Sequence, residues 1–286
     1  MNLDKFDDDI SNELKKRLQE LEVHFNGDVV FYYGEITEVM LRLFRDFIEN
    51  TSSSDPKYES LYFFLKTPGG SVETAEKMVD IIRHHYKKVF FVVPDGVYSA
   101  GTILCMSGDG IYMDYSSFLG PIDPQVWNGE QWVPALGYLD KVEEMLWKAK
   151  NNELTDAEFV ILQNQDLALL SRYEQAKDLT ETLLKKWLVE FKFKDWKVHS
   201  SNGKDVTLEE KEERASNVAE LLGDNQMWHS HGRMISISTL QDVIRLKIDD
   251  YSCDEKLRPK IRDYNDMLTG YIGRIGFQYY LHSKIV

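Results

Sequence analysis

Between Asp28 and Pro124 the chain alternates short unbroken apolar runs with stretches in which apolar residues recur every three or four positions. The runs predict strands buried on both faces, and the recurrence predicts amphipathic helices. Strands are expected at Val29 to Tyr33, Leu61 to Leu65, Val89 to Val93 and Gly110 to Met113, with helices at Glu38 to Glu49, Val72 to Tyr86 and Ala100 to Met106. Met40, Leu41, Leu43, Phe44 and Phe47 supply the inner face of the first helix, and Ala75, Met78, Val79 and Ile82 that of the second. Such alternation is the pattern of an α/β layer structure, with a mostly parallel sheet and right-handed crossovers.

After Pro124 the pattern changes. A short extended stretch, Trp127 to Val133, holds the turn-like pair Asn128-Gly129. Ala135 to about Phe191 reads as helix, broken near Asn151-Asn152 and restarted at Thr155, where Asp156 and Glu158 suit a first turn. A polar break from His199 to Asp205 precedes a helix at Leu208 to Leu222, and from Thr239 to the end more helix is expected, with a glycine-punctuated tail. The expected organisation is a helical lead-in over residues 1–27, an α/β core over 28–133 and a mostly helical C-terminal region over 134–286 that completes the fold.

Composition narrows the function classes. The 286 residues are 43% hydrophobic, enough for a substantial core, and carry 34 Lys and Arg against 48 Asp and Glu, a net charge of −14. That charge repels phosphate backbones and no basic stretch offsets it, so nucleic acid is not an expected partner. Met1 to Ile10 holds Asp4, Asp7, Asp8 and Asp9, the reverse of a secretory leader, and no apolar run approaches the roughly 20 residues of a membrane span. The expectation is a cytoplasmic protein. Cys105 and Cys253 show neither a disulfide framework nor zinc-ligand spacing, and no phosphate-binding loop or HExxH stands in the sequence, so no cofactor or metal is expected.

Two junctions between strand and helix carry candidate chemistry. Thr67-Pro68-Gly69-Gly70-Ser71 follows one predicted strand, and Gly96-Val97-Tyr98-Ser99-Ala100-Gly101-Thr102 follows another and opens an apolar helix. A glycine pair lets open backbone N–H groups approach a substrate, and a serine at a helix start is accessible with its alkoxide form stabilised. Alone, the first is an ordinary turn and the second an ordinary N-cap. Their order, followed by Phe118-Leu119-Gly120-Pro121-Ile122-Asp123-Pro124-Gln125, is far less generic.

These segments resemble the Clp-protease and crotonase superfamily and, within it, the serine peptidases related to signal peptide peptidase A; the closest likeness is to the serine dehydrogenase proteinase family. The Thr-Pro-Gly-Gly turn, the Ser-Ala-Gly-Thr segment and the Leu-Gly-Pro-Ile-Asp-Pro-Gln stretch carry the resemblance, with Leu183 to Trp187 and Trp228 to Ile235 as fainter echoes. It implies a ClpP/crotonase-like spiral of ββα units with a helical C-terminal extension, and a homo-oligomer enclosing its active sites. It also implies a serine, aspartate, histidine triad in that chain order: Ser99 as nucleophile, Asp123 as acid and His231 as base. Gly69, Gly70 and the amide of Ala100 would then form the oxyanion site. Where the family has Thr-His-Asp-Tyr-Pro, this chain has Ser230-His231-Gly232-Arg233-Met234.

Alternatives for the base stay open. His229 stands two residues from His231, and relatives in the signal peptide peptidase A group use a lysine, for which Lys150 is the candidate because it shares the apolar side of its helix with Leu139, Val142 and Leu146, whereas Lys141 and Lys148 point away. The resemblance implies a serine peptidase acting on peptide or protein substrates through an acyl-enzyme on Ser99. A catalytically silent peptide-binding or scaffold member of the same fold, and a crotonase-type acyl-CoA enzyme, are the competing readings.

Overall fold

The computed structural model describes residues 3–127, 130, 132–199 and 203–285. Its centre is a six-stranded sheet in the order Asp249–Asp250, Gly110–Met113, Lys88–Val93, Ser60–Lys66, Asp28–Tyr33, Tyr280–His282. Every neighbouring pair is parallel except the last, where Tyr280–His282 runs antiparallel to Asp28–Tyr33. The strand residues form unbroken apolar runs because both faces of the sheet are covered. Val30, Tyr32, Leu61, Phe63, Leu65, Phe91 and Val93 point into the larger core, beneath helices Leu41–Ser53, Val72–His85, Ala100–Met106, Leu167–Trp187 and Leu208–Gly223. Val29, Phe31, Tyr62, Phe64 and Val92 point the other way, against helices Leu3–Phe25 and Leu257–Ile275. The period-two alternation of a strand thus splits one apolar run between two cores.

Most of the expected elements fall where the pattern puts them, and Ala100–Met106 and Gly110–Met113 match to the residue. The first crossover helix differs in detail. It starts as a 3₁₀ turn, Glu38–Met40, and its buried stripe is Phe44, Phe47, Ile48 and Thr51, leaving Leu43 exposed one position off that stripe. Thr155 restarts the helical region through a capping box with Glu158, as its neighbours foretold. The Asn128-Gly129 pair lies outside the described residues, between strands Gln125–Trp127 and Trp132–Pro134.

The expectation of more helix from Thr239 to the end is met in part. Among the described residues there, Ile237–Asp242 and Leu257–Ile275 are helical, and the two short strands flanking the second helix become the opposite edges of the central sheet. Two- and three-residue strands carry too little periodicity to stand out in a polar tail. Buried Lys284 fastens that tail, with Nζ 2.7 Å from Asp28 Oδ1.

A second sheet positions the chemistry. It has three strands, Gly96–Val97, Phe118–Leu119 and Ile235–Ser236, the first pair parallel and the second antiparallel. Asp95, just before it, pairs with Lys66 at 2.8 Å and Arg262 at 3.1 Å, and its carbonyl accepts from Phe118 N. Arg262 also binds Asp114 at 2.6 Å; burial disfavours the Asp114 carboxylate, but Arg262 and Ser116 outweigh it and hold the pKa down at about 2. No helix among the described residues is long and apolar enough to cross a membrane.

Candidate active site

The Pro-Gly-Gly turn is a short parallel extension of the sheet. Ile36 N donates to Gly69 O at 2.8 Å and Ser71 N to Ile36 O at 2.9 Å, bracing the turn from one side. Gly69 and Gly70 have φ of +106° and +140°, conformations that L side chains rarely adopt. Space makes the same demand: a Cβ on Gly70 would sit 2.2 Å from the Ile36 carbonyl oxygen, and one on Gly69 2.8 Å from Ser99 Cβ. The turn therefore lies directly against the serine. Thr67 Oγ1 accepts the Gly69 amide at 3.0 Å, so that donor is already used. The amides of Gly70 and Ala100 find no acceptor among the described residues.

Ser99 is held by the second sheet. Val97 bridges Thr67, Tyr98 N donates to Thr67 O, and the chain then turns abruptly into helix Ala100–Met106 with Ser99 as its N-cap. At φ 50° and ψ −121° Ser99 lies outside the ordinary regions for a residue with a Cβ, a conformation costing on the order of 1–3 kcal/mol that the surrounding bonds must offset. Its carbonyl accepts from Thr102 N and Ile103 N, and Gly120 N donates to Val97 O beside it. The side chain is half-buried, and its hydroxyl makes no hydrogen bond to another described residue.

The same small sheet brings Asp123 and His231 together from 108 residues apart. Leu119 pairs with Ile235 in antiparallel register. Beyond that pair both chains leave the sheet, Ile122 N donating to Leu222 O and Arg233 N closing a turn onto Ser230 O, and Asp123 and His231 meet in the loops. His231 Nδ1 lies 2.8 Å from Asp123 Oδ1, and Asp123 Oδ2 accepts from Gln125 Nε2 at 3.0 Å. The carboxylate is buried with both oxygens satisfied, while His231 keeps 29% of its side chain exposed. In the tautomer that donates Nδ1–H to Asp123, Nε2 is the acceptor of the ring. Trp228 anchors the approach to His231, buried and donating Nε1–H to Leu221 O at 2.8 Å.

The alternative bases are placed elsewhere. His229 is exposed and closes helix Asn225–Trp228 in a left-handed conformation, φ 61°, and no hydrogen bond joins its ring to a described residue. Lys150 ends helix Ala135–Lys150 and is exposed, so the burial expected from its helical face is not met; Leu146 on the same face is exposed as well. Lys148, expected to point away, is the half-buried one, between Glu144 and Glu158. Motif reading also passed over Ile36, which braces the turn, and Gln125, which orients Asp123; Gln125 stood in the quoted stretch, whereas Ile36 reaches the site only through sheet pairing. Among the described residues no group of three or more His, Cys, Asp or Glu side chains could hold a metal ion.

The family model described as ClpP-like SDH-type serine proteinase matches residues 46–243, more than half of the chain. The uncharacterized proteins MJ0137 and MJ1495 of Methanocaldococcus jannaschii are similar at 34% and 28% identity over 71 residues, a quarter of this chain and about a quarter of each relative's length. A solved structure, a serine-to-alanine mutant of the 1510-N membrane-bound stomatin-specific protease, is similar at 21% identity with a TM-score of 0.30, over 43% of this chain and 60% of that one.

Proposed function

The chain belongs to the ClpP-like SDH-type serine proteinases, and from that premise we propose that it hydrolyses peptide bonds through an acyl-enzyme on Ser99, with Asp123 and His231 completing a triad. The observation that carries the reading is the 2.8 Å bond between His231 Nδ1 and buried Asp123, formed between loop segments next to strands Phe118–Leu119 and Ile235–Ser236, which share a sheet with the Gly96–Val97 strand ahead of strained Ser99. In this reading Ser99 Oγ attacks the scissile carbonyl carbon while His231 Nε2 takes its proton. Asp123 holds the imidazole tautomer and favours the imidazolium. The carbonyl oxygen, now negative, is met by the free amides of Gly70 and Ala100, each such donor being worth roughly 10² to 10³ in rate. Gly69 shapes the site by lacking a Cβ rather than by donating. His231 then protonates the leaving amine, and water releases the acid by the reverse sequence.

Peptide or protein substrates follow from the reaction. We also read the chain as a homo-oligomer working in the cytoplasm. The free thiols of Cys105 and Cys253 suit a reducing compartment. Oligomerisation is supported by helices Ala135–Lys150 and Asp156–Gln163, on which Leu146, Trp147, Phe159, Val160 and Ile161 are exposed.

Stoichiometric labelling with a fluorophosphonate, located by peptide mass spectrometry, tests the nucleophile. Modification at Ser99 that is lost in Ser99→Ala is the expected result. The unbonded Ser99 hydroxyl is the observation favouring a silent, peptide-binding member, and absence of labelling in the assembled oligomer would favour that reading. Acyl-CoA binding without labelling would favour crotonase-type chemistry.

A further inference from the structure

Three segments of chain leave the large sheet for the candidate site, and each leaves through a charged residue. Lys66 ends Ser60–Lys66 just before the glycine turn, and Asp95 stands between Lys88–Val93 and the strand that leads to Ser99. Asp114 follows Gly110–Met113 on the way to Phe118–Leu119. None of the three side chains enters the proposed reaction. They meet instead on one helix that is remote in sequence, Leu257–Ile275.

Arg262 of that helix is the joint. Its Nε and Nη2 donate to the two carboxylate oxygens of Asp114 at 3.0 and 2.6 Å, and its Nη1 donates to Asp95 Oδ1 at 3.1 Å. Asp95 Oδ2 accepts from Asn265 Nδ2 at 3.1 Å and from Lys66 Nζ at 2.8 Å. Asp114 is fully buried and Arg262 mostly so. Burial alone would raise the Asp95 pKa, but Lys66, Asn265 and Arg262 outweigh it and hold it down. One planar guanidinium thus joins two segments with three of its nitrogens. A lysine ammonium, a point charge, does not reproduce that fork.

The consequence falls on Ser99. Only Gly96, Val97 and Tyr98 separate it from Asp95, whose carbonyl also accepts from Phe118 N at 3.0 Å. A residue at φ 50° keeps that conformation only while the chain on both sides is fixed. On the helix side Thr102 N and Ile103 N bind the Ser99 carbonyl; on the other side the anchor is Asp95. The pair between Lys66 and Asp95 also ties the segment leading to the glycine turn to the one leading to Ser99.

We propose that Arg262 is a positioning residue: through Asp95 it holds Ser99 in its strained conformation and in place against the glycine turn. The effect on catalysis rests on the peptidase reading, whereas the clamp on the backbone does not.

Three variants of the full chain test it. Arg262→Lys keeps the charge and loses the fork, while Arg258, whose Nε lies 3.2 Å from Asp114 Oδ2, still partners the buried carboxylate. Asp95→Ala keeps the pair between Arg262 and Asp114 and cuts only the link to Ser99, so it decides the matter should Arg262→Lys fail to fold. Ile261→Val is the control, thinning the buried face of the same helix without touching the cluster. At saturating fluorophosphonate, the labelling rate of Ser99 is expected to fall about tenfold to a hundredfold in the first two variants with reagent affinity unchanged, the loss that ångström-scale misplacement brings. Ile261→Val should lower the melting temperature and label at the wild-type rate. Hydrogen exchange read by mass spectrometry is independent of the chemistry. Residues 95–103 and 116–120 should exchange about tenfold faster in Arg262→Lys and Asp95→Ala, with Ser60–Lys66 and Lys88–Val93 as protected as in the wild type. A folded variant labelled at the wild-type rate, loosening that spreads evenly over the central strands, or an Ile261→Val that labels as slowly as the others overturns the proposal. A wild-type protein that takes no label sinks the peptidase reading instead, and exchange alone then decides the clamp: wild-type exchange in both variants rejects it.

Discussion

Asp123 shows how much one buried side chain is asked to do. It is 2% exposed, and its two oxygens are divided between His231 and Gln125. In Asp123→Asn the amide can keep the shape and the Gln125 contact but presents a donor or a neutral acceptor to Nδ1, so the imidazole loses both its tautomer and the charge that favours its protonation. The expected outcome is a fall in kcat of about 10³ to 10⁴ with a nearly unchanged melting temperature. Peptide hydrolysis and thermal unfolding on the same preparation check it, and a variant that keeps wild-type kcat would remove Asp123 from the chemistry. The turn is legible at the same scale for a different reason: two consecutive glycines are required by the Ile36 carbonyl on one side and Ser99 on the other.

At the scale of elements, the site is the product of three strands of two residues each. Too short to be stable alone, they are held by what flanks them: the bridge from Thr67 to Val97, the Asp95 and Arg262 pair, and Trp228. Trp228 packs in the larger core and returns its indole N–H to the end of helix Leu208–Gly223. Removing it leaves a cavity and frees the four-residue helix that delivers His231. Trp228→Ala is expected to cost about 3–5 kcal/mol of stability. It should also lower kcat more than KM, because the base and not the substrate cleft is displaced; a variant that loses stability with kcat intact would show that the helix is a bystander.

At the scale of the molecule, two regions call for separate tests. The exposed apolar face of helices Ala135–Lys150 and Asp156–Gln163 is expected to be covered in solution. Trp147→Glu combined with Phe159→Glu should shift the sedimenting species to a smaller mass with the secondary structure unchanged. A wild-type monomer in sedimentation velocity would reject the assembly. The second region is the buried charge cluster behind the first strand, where Glu22 and Asp28 meet Lys284. Burial raises the Glu22 pKa to about 7 from the usual 4.5, against the Val29 amide that donates to it. A raised carboxyl holds its proton more tightly folded than unfolded, so this group stabilises the fold at low pH and that contribution is lost as pH rises from about 4.5 through 7. Glu22→Gln should therefore gain on the wild type between pH 5 and 8, by about 1–2 kcal/mol once solvent screening trims the shift. His282, whose pKa burial pulls down to about 4, acts in the opposite sense: it charges in the unfolded chain first and destabilises the fold as pH falls. The difference between variant and wild type in urea unfolding is thus the quantity to follow, and an equal difference at both pH values would refute the assignment.

The sequence by itself determined the central strands and crossover helices, because burial on two faces leaves unbroken apolar runs and burial on one leaves a helical period. It also marked Ser99 and the glycine pair as candidates, the glycines because positive φ and the absence of room for a Cβ leave few other residue types. It did not determine that Tyr280–His282 and Asp249–Asp250 close the edges of the sheet, since strands of two or three residues leave no period to read. Nor could it choose among His231, His229 and Lys150. What the structure adds is that His231 bonds Asp123, a contact between segments more than a hundred residues apart that propensity cannot encode. Helical phase alone misjudged Lys150, because whether the apolar side of a helix is buried depends on what packs against it, and only the tertiary structure decides that.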